Sequence, residues 1–409
     1  MMKKVFAICL AAVFMLFAVG CEMPEPSSGR PSSSGSKVSD TETFDLSDET
    51  DETDVSDTSE TGSESEEPSD TSETGSEPEE PSDTSESGDD PIDPPDEPEP
   101  VHPDTSDIKK ILFIGNSHAK DTYVTLPELF KAEGYNGYTF GLAYIGETHL
   151  SHHAANITNN SAKYLYYLSE NKAGYTNPNG KDSNKNYILA TFESILQDKD
   201  WDLVIMLIHR GDIFDGDNCA AASRETIVNH IHSIRPNAKI GTVASWLTPY
   251  ADDMTAVYAN ASYNEVLQLY TPYGTSDAER FAHHCTVVKN NILNDPTYYI
   301  NFSVGNAAYY ANKILGVASG NVNTDATCLY RDYVHMSIYG RAIVSYAFFA
   351  QFTGQEIDHV SINAVTAYVG NGAYYDKANC PALTAEQKNV IIQTANYTFN
   401  HPWTVPTAA

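Results

Sequence analysis

Basic residues are scarce in this chain of 409 residues, where 24 lysines and arginines stand against 56 aspartates and glutamates and the formal net charge is −32. No stretch combines lysine and arginine into a basic stripe, which argues against nucleic-acid binding. Long apolar runs are scarce as well. The only extended one lies at the N-terminus, which excludes a protein with several membrane spans.

Most of the negative charge belongs to one segment. Residues 22–107 contain 30 acidic and 2 basic residues, whereas residues 108–409 contain 26 acidic and 20 basic residues. The segment has almost no aliphatic or aromatic side chains, so it cannot bury enough apolar surface to offset the entropy of ordering. The pentapeptide of residues 56–60 recurs at residues 69–73 and 82–86. We expect residues 21–107 to be a disordered, extended linker, either a bare spacer or a glycosylated stalk.

The first twenty residues have the pattern of a secretory signal. Lys3 and Lys4 precede an uncharged, almost wholly apolar stretch at residues 5–20, and 16 residues are fewer than the roughly 20 that a bilayer span needs. Residues 17–21 resemble the lipobox of bacterial lipoproteins, in which small residues precede a cysteine that becomes acylated. The resemblance implies lipidation of Cys21 and an extracytoplasmic protein anchored to the bacterial cell membrane. A plain secretory signal with an incidental cysteine is the alternative.

From residue 108 onward, short apolar runs alternate with helical patterns. The apolar runs predict strands at residues 111–114, 138–145, 203–208, 240–244 and 298–304. Helices are predicted at residues 126–132, 189–196, 224–234, 278–293, 338–353 and 385–395. This alternation is typical of a mainly parallel α/β sheet with helices on both faces. We therefore expect one domain over residues 108–409, with an insertion around residues 154–187 whose tyrosines either pack or bind sugar.

Four cysteines remain if Cys9 leaves with the signal and Cys21 is acylated. They are Cys219, Cys285, Cys328 and Cys380. An even number outside the cytoplasm permits disulfides, and buried free thiols are an equal alternative. No cysteine pair has metal-ligand spacing, and the cluster of His149, His152 and His153 lacks a completing ligand. We expect neither a metal nor another cofactor, and interpret the histidines as lining a crevice or capping a helix.

Three polar segments reach the edge of the predicted sheet where ligands bind, beyond the carboxyl ends of the strands. Ser117 follows the first strand, Gly146 follows the second, and Asp332 and His335 precede the helix at residues 338–353. A serine nucleophile needs a base, and the base needs an orienting acceptor. Taken singly, each segment has a simpler interpretation, which is a helix cap for Ser117 and Ser337 and a turn for Gly146.

Taken together, these segments resemble the SGNH hydrolases, also called GDSL-like esterases. Further matches, at residues 201–204, 245–246 and 332–340, resemble the DUF4886 branch, and the resemblance covers about residues 110–355. It implies a flavodoxin-like three-layer α/β/α fold and hydrolysis of acyl esters. It also implies that Ser117 is the nucleophile, His335 the base and then the acid, and Asp332 its orienting partner. The backbone N–H groups of Ser117 and Gly146 would line the oxyanion hole.

One position departs from the family pattern. SGNH enzymes place an asparagine after the third strand as another oxyanion donor, and the DUF4886 branch tends to have glutamine, but this chain has His209 and Arg210 there. We expect His209 or Arg210 to donate instead. The sequence thus predicts a cell-surface serine esterase that acts on acyl groups, for example acetyl groups, of extracellular glycans. The alternative is a glycan-binding lipoprotein that keeps the fold but has lost turnover.

Overall fold

The computed structural model describes eight parts of the chain. They are residues 102–170, 176–184, 186–214, 216–247, 273–319, 328–330, 335–362 and 382–406. The predicted signal, Cys21, nearly all of the predicted linker, Asp332 and Cys380 lie outside the described residues. Within the described part, no helix is both long enough and apolar enough to cross a bilayer.

Strands and helices alternate along the described chain. The strands are β1 (Lys110–Gly115), β2 (Thr139–Tyr144), β3 (Leu165–Glu170), β4 (Leu203–Ile208), β5 (Lys239–Ala244) and β6 (Tyr298–Phe302). The helices are α1 (Ser117–Tyr123), α2 (Leu126–Ala132), α3 (Leu150–Thr158), α4 (Phe192–Asp198), α5 (Arg210–Phe214), α6 (Ala221–Ile234), α7 (Asp277–Val288), α8 (Val304–Lys313), α9 (Ile338–Thr353) and α10 (Ala385–Asn400). A π-helical turn, Lys289–Leu293, follows α7 directly.

The strands form one sheet in the order β3-β2-β1-β4-β5-β6. All neighbours are parallel except β2 and β3. The chain passes from β1 to β2 on one side and later enters β4 on the other, so the connections that leave β1 and β4 diverge. Such a divergence opens a ligand crevice at the carboxyl ends of the two strands. The parallel strands have the order of flavodoxin-like sheets, and the predicted fold class is confirmed.

The sheet is buried on both faces. In β1, Ile111 and Phe113 belong to one hydrophobic core, whereas Leu112 and Ile114 belong to the other. All six side chains of β4 are buried, which explains its uninterrupted apolar sequence. Burying one such side chain contributes about 1.5–3 kcal/mol. The two cores hold the sheet between two layers of helices, and this rigid frame fixes the positions of the loops at its edge.

The agreement between predicted and observed elements is closest for apolar segments. Strand β4 and helices α2 and α9 have the predicted bounds, and Ser337 caps α9 by accepting the N–H of Gly340 at 2.9 Å, as the helix-cap interpretation requires. Helices α1, α3, α5 and α8 were not predicted, because they are short or rich in polar residues. Strand β3 was not predicted either.

Strand β3 lies inside the predicted insertion and forms the antiparallel edge of the sheet. Tyr164, Tyr166 and Tyr167 are all buried there, so these three pack in the core and are not an exposed platform for sugar. At the start of the described chain, Thr105 donates a hydrogen bond to the carbonyl of Phe352. The last residues of the span predicted as linker therefore contact the domain.

Candidate active site at the carboxyl edge of the sheet

Asn116 joins two loops at the crevice. Its Oδ1 accepts the N–H of His118 at 2.9 Å and caps α1, while its Nδ2 donates to the carbonyl of Thr148 at 2.9 Å. Ser117 is therefore the first residue of α1 and not its cap, which corrects the helix-cap interpretation of that serine. Its hydroxyl is left available at the positive end of a helix.

Two backbone N–H groups at this part of the edge have no hydrogen-bond partner among the described residues. Neither the N–H of Ser117 nor that of Gly146 donates a hydrogen bond to any described residue. The loop that contains Gly146 is held in place because Thr148 Oγ1 donates to the Gly146 carbonyl at 2.8 Å. Ser117 Oγ is half-buried and likewise forms no hydrogen bond with a described residue. In this structure, therefore, the hydroxyl is not bonded to His335.

Asp121 brings the segment around His335 to the same edge. This carboxylate is only 1% exposed, and its Oδ2 accepts the N–H of Met336 at 2.8 Å. Its Oδ1 accepts hydrogen bonds from Arg341 Nε and Arg341 Nη2 at 2.8 and 2.7 Å. As a result, the rings of His118 and His335 lie 6.1 Å apart, centroid to centroid. Ser117 and the half-buried His335 are thus brought to one region of the crevice, while Asp332 lies outside the described residues.

The loop after β4 forms the opposite wall and is organised by Asp212. Asp212 Oδ2 accepts the N–H of His209, and Oδ1 accepts the N–H of Leu150, both at 3.1 Å. The N–H of Gly211 donates to Nδ1 of His209 at 3.2 Å. Because Nδ1 is an acceptor, a neutral His209 carries its proton on Nε2 and can donate it.

His209 is also held in the neutral form. Burial lowers the pKa of its imidazole well below the usual 6.5, and the charge of Arg210 and the neighbouring imidazoles lower the pKa further. The ring of His118 lies 5.0 Å from that of His209, and the ring of His149 lies 4.9 Å from it. Gly211 makes room for this crowding, since a Cβ there would lie 2.2 Å from Cε1 of His149.

Arg210 is buried beside the ring of His118. The residue is 8% exposed, and its Nη1 lies 3.5 Å from His118 Nε2. Its backbone N–H donates to Ser245 Oγ at 3.1 Å, and Trp246 stacks on His118 at 4.5 Å and 9°. Arg210 Nε has no hydrogen-bond partner, and no carboxylate of the described residues pairs with the guanidinium.

Three side chains of this wall could hold a divalent cation. His149, His209 and Asp212 each offer a ligand atom, and these atoms lie within 4.8 Å of one another. Both oxygens of Asp212 already accept backbone N–H groups. A cation there would also lie close to the buried charge of Arg210, which opposes it. The arrangement suits an imidazole and a carboxylate that shape the loop better than it suits a metal centre.

Other histidines and cysteines considered in the sequence analysis have no role in the candidate active site. His153 is buried with its Nδ1 3.3 Å from the hydroxyl of Tyr164, and burial lowers the pKa of His153 to about 3. Cys285 is buried as a free thiol, and burial raises its pKa to about 12. Such a thiol is not a nucleophile. Cys219 is also free and buried, Cys328 is buried, and Cys380 is outside the described residues.

The weaker family matches have structural roles. Asp202 Oδ2 accepts the N–H groups of Lys109 and Lys110, both at 2.8 Å, where β1 and β4 begin. Trp201 Nε1 donates to the carbonyl of Ile195 at 2.9 Å. Both residues lie at the amino edge of the sheet, opposite the crevice.

Sequence reasoning missed the two carboxylates that organise the crevice. Asp121 and Asp212 are buried, yet each stands in a short polar segment that predicts an exposed helix or turn. One signal was present for Asp121, which lies four residues after Ser117 and so on the same side of a helix.

Comparison with known proteins bears on the fold. No protein-family model matches the chain, and no curated protein is significantly similar to it in sequence. Among solved structures, the chain is similar to a DUF4886 family protein from Bacteroides uniformis ATCC 8492, with 21% identity and a TM-score of 0.53 over 73% of this chain and 97% of that one. It also matches the periplasmic domain of a lipopolysaccharide acetyltransferase from Salmonella ser. Paratyphi A, with 16% identity and a TM-score of 0.31 over 56% of this chain and 78% of that one.

Proposed function

We propose that this protein is a serine ester hydrolase of the SGNH type. Ser117 is the nucleophile, His335 removes and later returns its proton, and Asp332 orients the imidazole. The observation that carries the proposal is that Ser117 and His335 lie in one region of the crevice, although 217 intervening residues separate them in the chain. The hydrogen bond from the Met336 N–H to Asp121 supports this placement. A bond between hydroxyl and imidazole often forms only when substrate is bound.

The oxyanion of the tetrahedral intermediate is held by backbone and side-chain donors. The N–H groups of Ser117 and Gly146, which have no partners among the described residues, are two of these donors. His209 is the third, since its Nδ1 accepts from Gly211 and a neutral ring then carries a proton on Nε2. One such donor is worth about 10²–10³ in rate. His209 thereby replaces the amide side chain that SGNH enzymes place after this strand.

The test is hydrolysis of 4-nitrophenyl acetate by matched variants. Ser117→Ala and His335→Asn are expected to lose at least about 10³-fold in kcat, because each removes a member of the catalytic unit. Ser233→Ala, on the exposed side of α6, is the matched control and is expected to retain the parent rate. If Ser117→Ala hydrolyses the ester as fast as the parent, the nucleophile is assigned wrongly.

His209 can be tested separately by two substitutions. His209→Leu removes the donor, and kcat is expected to fall about 10²–10³-fold. His209→Gln restores a donor and is expected to recover most of the rate. Equal rates for the two variants would exclude the side chain from the oxyanion hole.

The substrate we infer is an acyl ester, for example an acetyl ester, of an extracellular glycan. An open cleft of about 490 Å³, lined in part by His149, Gly211 and Asp212, has room for a sugar-sized leaving group. The predicted lipid anchor on Cys21, followed by the acidic linker, would hold the domain away from the cell membrane. A Cys21→Ser variant is expected to be lost from the membrane fraction in cell fractionation. An unchanged distribution would show that Cys21 does not anchor the protein.

A binding protein without turnover is the second candidate. It is favoured by the missing hydrogen bond between Ser117 Oγ and His335 in this structure. In that case, immobilised glycan captures both the parent and Ser117→Ala, and neither protein hydrolyses the acyl groups. Release of the acyl group from the same glycan by the parent alone would exclude this candidate.

A further inference from the structure

Arg210 and Arg224 are two of the three buried arginines of the described residues, and they differ in how many of their N–H donors have an acceptor. Arg224 is 4% exposed, and its guanidinium donates to the carbonyls of Cys219 and Asn218 and to the hydroxyl of Tyr298. Arg210 is 8% exposed, yet its Nε donates to nothing and its Nη1 has one long contact, 3.5 Å from His118 Nε2. Arg224 is satisfied by the fold, and Arg210 is not.

No carboxylate within the described part of the chain pairs with Arg210 to balance its charge. Asp212 is the carboxylate closest to Arg210 in the sequence, but its two oxygens accept the N–H groups of Leu150 and His209, and it forms no ion pair with Arg210. Among the described residues, the titratable groups connected to Arg210 through ring contacts are the imidazoles of His118, His149, His209 and His335, which supply no negative charge. A buried cation without a counterion is strongly unfavourable, so such groups mark places where a ligand completes the pairing.

We propose that Arg210 forms an anion subsite of the crevice and that the ester substrate carries a carboxylate. This inference rests on the proposed esterase function and narrows its substrate class. A guanidinium presents a fork of N–H donors that matches the two oxygens of a carboxylate. One guanidinium beside His209, whose pKa is lowered well below its usual value by burial, balances one negative charge. A dianionic phosphate ester would leave a second charge uncompensated in the same buried wall.

The position of Arg210 limits the distance between the carboxylate of the substrate and its reacting ester group. Its Nη1 contacts His118, the residue directly after Ser117. The carboxylate and the scissile ester therefore belong to one small group, such as the half-ester of a short dicarboxylic acid or an acylated sugar acid. A carboxylate many sugar units away would not reach the guanidinium.

The kinetic experiment compares esters that differ in one charge. The first pair is 4-nitrophenyl hydrogen succinate, which carries a carboxylate on the acyl side, and the neutral 4-nitrophenyl butyrate of similar length. The second pair is 4-acetoxybenzoate, with the carboxylate on the leaving group, and its neutral methyl ester. We expect the parent to favour the charged member of at least one pair in kcat/KM. Arg210→Met is expected to lower that preference about 10- to 100-fold, and Arg210→Lys to lower it less.

Two results would overturn the subsite. If Arg210→Met lowers kcat/KM equally for the charged and neutral members of both pairs, the arginine acts on the oxyanion or on structure. If the parent shows no preference for either charged ester, the crevice does not recognise a carboxylate. Arg224→Met is the matched control. It leaves two carbonyls unpaired and is expected to lower the melting temperature while keeping the charge preference of the parent.

A binding measurement separates this proposal from the hydrolase proposal. In the Ser117→Ala background, monomethyl succinate is expected to raise the melting temperature, whereas dimethyl succinate at the same concentration is not. Adding Arg210→Met is expected to abolish the rise. If no ester is hydrolysed but this pattern holds, the esterase function fails and the anion subsite stands. If esters are hydrolysed and monomethyl succinate has no effect that depends on Arg210, the subsite fails and the esterase stands.

Discussion

Each wall of the crevice contains an arginine, half-buried in one wall and buried in the other, and the two walls use it in opposite ways. Arg341 belongs to the wall that contains Ser117 and His335, and it pairs with Asp121 through two hydrogen bonds at 2.8 and 2.7 Å. Arg210 belongs to the wall after β4, and no carboxylate of the described residues pairs with it. Charge balanced inside the protein positions a segment of chain. Charge left unbalanced at the same edge is available to a ligand.

The largest effect is expected from breaking the balanced pair. Asp121→Ala removes one partner of a buried ion pair and the acceptor for the Met336 N–H, and it should lower the free energy of unfolding by about 3–5 kcal/mol. Asp121→Asn keeps an acceptor and should lose less. Urea unfolding of the two variants measures the difference.

The matched comparison is a substitution of Arg210 in the wall after β4, where no carboxylate of the described residues pairs with the arginine. Arg210→Met removes a buried charge without leaving a carboxylate behind, so it should change the free energy of unfolding by less than about 1 kcal/mol or increase it. A loss as large as that of Asp121→Ala would mean that Arg210 has a partner inside the protein, and the contrast between the walls would be lost.

Acid should act next, through buried imidazoles that the fold keeps neutral. Burial lowers the pKa of His153 and of His284 to about 3, and it also lowers the pKa of His209. Below about pH 6.5, such a histidine becomes protonated in the unfolded chain but stays neutral in the folded protein. Acid therefore favours the unfolded chain. Stability is therefore complete above that pH and is lost as the pH falls toward 3. At pH 5.5, the free energy of unfolding should therefore be lower by about 1.4 kcal/mol for each of His153 and His284.

The measurement is urea unfolding at pH 7.5 and pH 5.5. His284→Phe keeps a ring beside Phe281, which lies 5.6 Å from His284 between centroids, and removes one titrating group. It should reduce the pH-dependent loss by about 1.4 kcal/mol. The same loss in the variant and the parent would show that His284 is not held neutral.

The apolar part of this molecule was predictable because burial dictates it. All six residues of β4 are apolar and buried, and its bounds were predicted to the residue. The alternation of short apolar runs with helices was enough for the parallel sheet and its crevice. Strand β3 escaped because its tyrosines and polar neighbours do not form an apolar run, although they pack at the edge of the sheet.

Sequence reasoning reached only those residues of the candidate site whose type has one role in the proposed chemistry. Ser117 and His335 stood out because a hydroxyl needs an imidazole, and the structure brings them to the same edge. The supports did not stand out. Asp121 accepts a backbone N–H that lies 215 residues further along the chain, and Arg210 could not be recognised as lacking a carboxylate partner before its neighbours were known.

A smaller effect is expected from filling the space at Gly211. A Cβ there would lie 2.2 Å from Cε1 of His149, so Gly211→Ala must displace the imidazole and should cost about 1–3 kcal/mol. Because the clash involves His149, adding His149→Ala should recover most of this cost. Additive losses in the double variant would place the strain elsewhere. Urea unfolding of the single and double variants closes the cycle.

The smallest effect on stability separates capping from positioning. Asn116→Ala and Thr384→Ala each remove the cap of a helix, and each should cost about 0.5–2 kcal/mol in urea unfolding. Only Asn116 also donates to the Thr148 carbonyl, at 2.9 Å, and so connects the loop of Gly146 to Ser117. Hydrolysis of 4-nitrophenyl acetate should therefore fall in Asn116→Ala alone. If both variants keep the parent kcat, the wall that contains Ser117 does not depend on this connection, and its order must come from the pairing of Asp121 with Arg341.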